Sequence, residues 1–74
     1  MMIQQSRLYL HRIYSQHNMT QTQVANDVLH IDPATLSRYT SGVSPWPLHI
    51  IKVLKEYFNI PDTDVYDVFI KPYA

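Results

Sequence analysis

The chain has no cysteine, one glycine and no excess of either charge, and its apolar residues never form a long run. Each absence excludes something. Without cysteine, neither a disulfide nor a thiolate metal site can support a domain of 74 residues, and a reducing compartment fits. A chain this short buries only about 60–65% of its unfolded surface, so tight helix packing or dimerisation is the expected support. No stretch approaches the length of a membrane span, and the N-terminus is too polar for a secretory segment. A single cytoplasmic domain with no membrane partner is therefore expected. Scarce glycine and long helix-compatible stretches predict an all-α fold.

Six basic and six acidic residues cancel, where a nucleic-acid-binding domain is usually basic. The distribution is uneven, however. Positions 33–55 hold three cations (Arg38, Lys52, Lys55) and no acid, whereas positions 56–67 hold four acids (Glu56, Asp62, Asp64, Asp67) and no Lys or Arg. A neutral total of this kind can hide one positive face. His11, His17, His30 and His49 stand at no zinc spacing, so neither a metal nor a cofactor is expected.

Residues 3–17 read as a first helix, with Ile3, Leu10, Ile13 and Tyr14 near one stripe and Asn18 as its stop. Thr20 and Gln23 have the spacing of a capping box, and Met19 before them can staple onto Val24. A helix then runs through Val24, Ala25 and Val28, with Leu29 and Ile31 also in the core and His30 facing solvent. Asp32-Pro33 starts the next helix as N-cap and first helical residue, and Gly42 ends it in the left-handed conformation. On a helical wheel Leu36, Tyr39 and Thr40 cluster on one side. Ala34, Ser37, Arg38 and Ser41 share the other.

The stretch Thr20-Gln21-x-x-Val24-Ala25-x-x-Val28, a turn, then Thr35-Leu36-Ser37-Arg38-Tyr39-x-x-Gly42 resembles the Cro/repressor type of helix-turn-helix, also called XRE or lambda-repressor-like. Leu10, Ile13, Pro45 and the run 50–58 extend the resemblance to roughly residues 7–70. The turn Leu29-His30-Ile31 is one residue longer than the family's Gly-Val, and Pro33-Ala34 stand where its polar base readers often are. The resemblance implies a compact five-helix DNA-binding domain with its helix-turn-helix core at 20–42.

Site residues follow from the wheel and the resemblance together. The outward face of residues 33–41 is small and polar, with one Arg and no acid, which suits a major groove better than the Glu/Lys pairs of an ordinary solvated face. Arg38 is the expected base reader, bidentate to guanine, and Ala34 can meet a thymine methyl. Thr35, Ser37 and Ser41 can bond bases or phosphates. The family implies a phosphate contact at Gln21 through the helix start and brings the following loop, with Ser44, to the DNA backbone. Trp46 in that loop stands where the family has an N-cap, with Pro47 at the first helical position. Packing over the core edge, an indole N–H contact to the backbone and a partner contact are its open roles.

The fourth helix is expected at 47–58, with Ile50, Ile51, Leu54, Tyr57 and Phe58 apolar and Lys52, Lys55 and Glu56 in water. A last helix is expected at about 63–70, with Val65, Val68 and Phe69 closing the core; a strand-like tail is the alternative. Tyr66, Ile70 and Tyr73 remain as surplus apolar surface, so homodimerisation through 60–74 is expected.

The leading expectation is a sequence-specific DNA-binding transcriptional regulator. It would bind duplex DNA as a dimer on a pseudo-palindromic operator and resemble a small phage Cro-like or mobile-element protein. The alternative is a protein-interaction module that binds another regulator, a repressor above all, as antirepressors do. An enzyme acting on a small molecule is not expected, since no nucleophile–base pair, carboxylate pair or phosphate loop is visible.

Overall fold

Among the described residues, four with positive φ partition the chain: Asn18, His30 and Asn59 at 55° and Gly42 at 85°. They end the first four of five helices, α1 (Met2–Gln16), α2 (21–29), α3 (Pro33–Ser41), α4 (Leu48–Phe58) and α5 (62–70). The computed structural model describes residues 2–71, with side chains from residue 7 onward. The expected stripe position of Ile3 and the end of the dimerisation segment, 72–74 with Tyr73, lie outside these. No strand occurs among the described residues.

At three of the four ends Asn or Gly supplies the left-handed residue, because these tolerate that region best; His30 is the fourth. At three of the four ends the residue after it donates back five positions, as a Schellman closure requires: Met19 to Tyr14 at 2.9 Å, Val43 to Arg38 at 3.0 Å, Ile60 to Lys55 at 3.0 Å. The end of α2 is wider, with the Ile31 N–H donating six positions back to the Ala25 carbonyl at 2.9 Å.

The cause is a change of helix type. Gln21–Gln23 is α, and Val24–Leu29 continues as a π turn closed by His30 N–H to the Ala25 carbonyl. Bonds five residues apart bring position 29 above position 24. Leu29 is therefore buried with Val24 and Ala25, while Val28 is only half-buried at the core edge.

The starts of α2 and α3 agree with the local rules. Thr20 Oγ1 accepts from Gln23 N–H at 3.1 Å, and Gln23 Oε1 accepts from Thr20 N–H at 2.8 Å. Asp32 Oδ1 accepts from Ala34 N–H at 2.8 Å, ahead of Pro33 at the first helical position. The start of α4 differs from expectation. Pro47 (φ −65°, ψ 145°) is the capping residue without a side-chain bond, and Leu48 is the first helical residue. The extended ψ of Pro47 keeps it out of the helix, so Trp46 stands one place further out, and its ring is buried.

The last helix starts at Asp62 rather than Thr63, after Pro61, and changes from α at Asp62–Val65 to π at Tyr66–Ile70. The strand alternative is thereby overturned through residue 70. Val68 and Phe69 are neighbours and both buried, whereas a strand would send them to opposite faces. Tyr66 and Ile70 are exposed.

The core joins Leu10 and Tyr14 of α1 to Leu36 of α3, Leu54 and Phe58 of α4 and Phe69 of α5. Ile13, Met19, Ile31 and Val65 pack at its margin. Two expectations for α4 are corrected. Tyr57 is 55% exposed, flanking the apolar face rather than lying in it. Lys55 is half-buried, its Nζ 3.1 Å from Asp62 Oδ1. Tyr9 of α1 donates its hydroxyl to Asp64 Oδ2 of α5 at 2.6 Å. Burial first, and then that carboxylate, push the Tyr9 hydroxyl up to about 12. Burial alone raises Tyr14. Among the described residues no helix is long and apolar enough to cross a membrane.

Candidate functional site

The elements described above hold α3 from below and from both ends. Leu36 is fully buried, and the buried Thr40 hydroxyl donates to the Leu36 carbonyl at 2.9 Å. Half-buried Tyr39 lies 5.4 Å from Trp46, ring centre to ring centre, and Trp46 meets Phe69 edge-on at 4.9 Å. An aromatic line thus runs from α3 through the 43–47 loop to α5. Trp46 Nε1 is buried without a hydrogen-bond partner among the described residues, as is Tyr14 Oη. Its burial takes the indole N–H away from any surface ligand, so the contact to a DNA backbone entertained for it is not available in this conformation.

With the inner side fixed, the outer side of α3 is well defined. Ala34, Ser37, Arg38 and Ser41 are all exposed, as the wheel requires. The Arg38 guanidinium has no ion-pair partner among the described residues. Its carbonyl is heavily used, accepting from Val43 N–H, from Ser44 N–H at 3.2 Å and from Ser41 Oγ at 3.3 Å. Ser44 is thereby held against the end of α3, half-buried, and Thr35 is half-buried on the flank of the outer face.

A polar depression of about 70 Å³ opens beside this face, lined by Arg7, Gln21, Ser37, Thr40 and Ser41. It brings three helices to one place. Gln21, expected as a contact from the start of α2, lines it together with Ser37 and Ser41 of α3. Arg7 of α1 was not anticipated. The available signal was its position three residues before buried Leu10, which sets it at the edge of the α1 stripe; that α1 packs on α3 is a tertiary fact. The lining contains no acid, and Arg7 is exposed with no ion pair among the described residues.

The donors in the depression are not equivalent. The hydroxyl proton of Thr40 is committed to Leu36, and that of Ser41 points to Arg38 at a long 3.3 Å. The Arg7 guanidinium, Gln21 carboxamide and Ser37 hydroxyl are left to donate outward. Chemically, the surface offers two unpaired guanidinium groups, neutral donors between them and no carboxylate within the depression.

Among the described residues no group of three or more His, Cys, Asp or Glu side chains could hold a metal ion. No protein-family model, curated protein or solved structure matches this chain.

Proposed function

We propose that this chain is a DNA-binding transcriptional regulator of the Cro/repressor type, with α2 and α3 as its helix-turn-helix unit and α3 lying in the major groove. The observation that carries this reading is the outer face of α3. Ala34, Ser37, Arg38 and Ser41 are exposed and acid-free on a helix whose other side is fastened to the core. Small side chains allow close approach to base edges, and Arg38 supplies the bidentate donor that guanine recognition uses. The π turn of α2 adds support, because it absorbs the residue by which this turn exceeds the family pattern.

A homodimer fits the same reading. Tyr66 and Ile70, one helical turn apart on α5, are 51% and 42% exposed. Two copies would set their α3 helices about 34 Å apart, one per half-site. The test is binding to random-sequence duplex DNA as a function of salt, comparing wild type with Arg38→Ala. Steep loss of affinity with salt, and loss of sequence preference in Arg38→Ala, are expected. Absence of salt-dependent binding by wild type at low ionic strength would sink the proposal.

A second function, docking on another regulatory protein, is favoured by the exposed Val43, Leu48 and Tyr57 and by the neutral net charge. It predicts the opposite result in the same assay, together with a stoichiometric complex with a repressor protein.

A further inference from the structure

The polar depression between α1, α2 and α3 has a use that the outer face of α3 does not account for. Its members come from three helices, so the fold and not a local motif creates it. Arg7 is the only charged side chain in the lining, and it has no ion pair among the described residues. A guanidinium over neutral donors and away from carboxylates is suited to a single anion with several oxygens.

We infer that this depression seats one backbone phosphodiester of duplex DNA, with Arg7 as its charge partner and Gln21 and Ser37 as neutral donors. The inference rests on the DNA-binding reading above and deepens it. Its geometry separates two tasks on α3. Arg38 is exposed and stands outside the depression, whereas Ser37 lines it beside residues of α1 and α2. A phosphate held at that flank fixes how deeply and at what angle α3 enters the groove. Arg7 is therefore a positioning residue that acts equally on every sequence, whereas Arg38 discriminates between sequences.

The assay is fluorescence anisotropy with a random-sequence duplex and with a duplex selected by the wild-type chain, each from 50 to 200 mM salt. Wild type, Arg7→Ala, Arg7→Lys and Arg38→Ala are compared, with circular dichroism melting as the folding control. Arg7→Ala is expected to weaken both duplexes by the same factor, roughly three- to tenfold, and to make the log–log salt slope shallower by about 1. The selected sequence preference should survive. Arg7→Lys should keep the wild-type slope, because it keeps the charge. Arg38→Ala should instead narrow the gap between the two duplexes.

If wild type binds and Arg7→Ala keeps its affinity and slope, no phosphate sits in the depression, and the DNA-binding reading survives. A changed sequence preference in Arg7→Ala would also overturn the inference, since it would make Arg7 a base reader. If wild type shows no salt-dependent binding to either duplex, both proposals fall together.

Discussion

The helices α3 and α5 are built on opposite plans. A carboxylate cap and a proline start α3, a glycine in the left-handed region closes it, and its outer face is small and free of acid. The other helix has no side-chain cap, passes from α into a π turn, and carries Asp62, Asp64 and Asp67 together with exposed Tyr66 and Ile70. Local chemistry marks both ends of α3, and buried Leu36 fastens it to the core. Docking defines α5, through Phe69 against Trp46, Asp64 against Tyr9 and Asp62 against Lys55. A short helix with weak ends gains most of its stability from packing. The charges are also segregated: α5 carries Asp62, Asp64 and Asp67, while Arg7 and Arg38 have no ion pair among the described residues.

The docking of α5 is the contact whose loss should cost most. Phe69→Ala removes a side chain that is 2% exposed and should cost about 3–5 kcal/mol in urea unfolding. Emission from the one Trp should shift to the red as Trp46 loses its cover. A loss below about 1 kcal/mol would mean that α5 is not fastened to Trp46.

At α3 the expected effects are smaller and local. Asp32→Ala should cost about 1 kcal/mol through loss of the cap to Ala34. Asp32→Asn should preserve stability, because Asn caps as well as Asp, and should tighten duplex binding by removing a carboxylate beside the groove face. Equal destabilisation by the two variants would show that charge, not the cap bond, holds the start of α3.

Tyr14→Phe sharpens the account of the core. It removes a buried hydroxyl with no partner among the described residues, so the melting temperature should stay level or rise. A clear fall would reveal that the hydroxyl is bonded in solution.

The smallest effect concerns pH. Tyr9 has an ordinary value of 10.0 and stands at about 12 when folded, so the fold favours its neutral form. Its contribution is complete below pH 10 and is lost as pH rises from 10 through 12. Stability measured in urea at pH 9, 10 and 11 should fall, and less so in Tyr9→Phe. Buried Tyr14 acts in the same direction in both proteins. Identical profiles would remove the Tyr9–Asp64 bond from the forces that hold α5.

Much of this molecule was legible because its rules are short-range. The capping box at Thr20, the Asp32-Pro33 start, and the stops at Asn18 and Gly42 each depend on residues within one helical turn. The two sides of α3 followed from a period of 3.6 residues. What could not be read depends on partners far along the chain. The core place of Leu29 was legible, but the π turn that sets it beside Val24 was not, since it serves the packing of α2 against α4. Packing of Trp46 on the core was one of three roles open to it; its partners Tyr39 and Phe69, seven and twenty-three positions away, were not legible.

Sequence alone marked the starts of α2 and α3, the ends of α1 and α3 and the polar side of α3, since hydrogen-bond caps and periodicity act over a few residues. Only the tertiary structure decided that Arg7, Gln21 and Ser37 line one depression, and that Tyr9 reaches Asp64, 55 positions away. Such meetings depend on how helices pack, and packing is a property of the whole core rather than of any stretch of it.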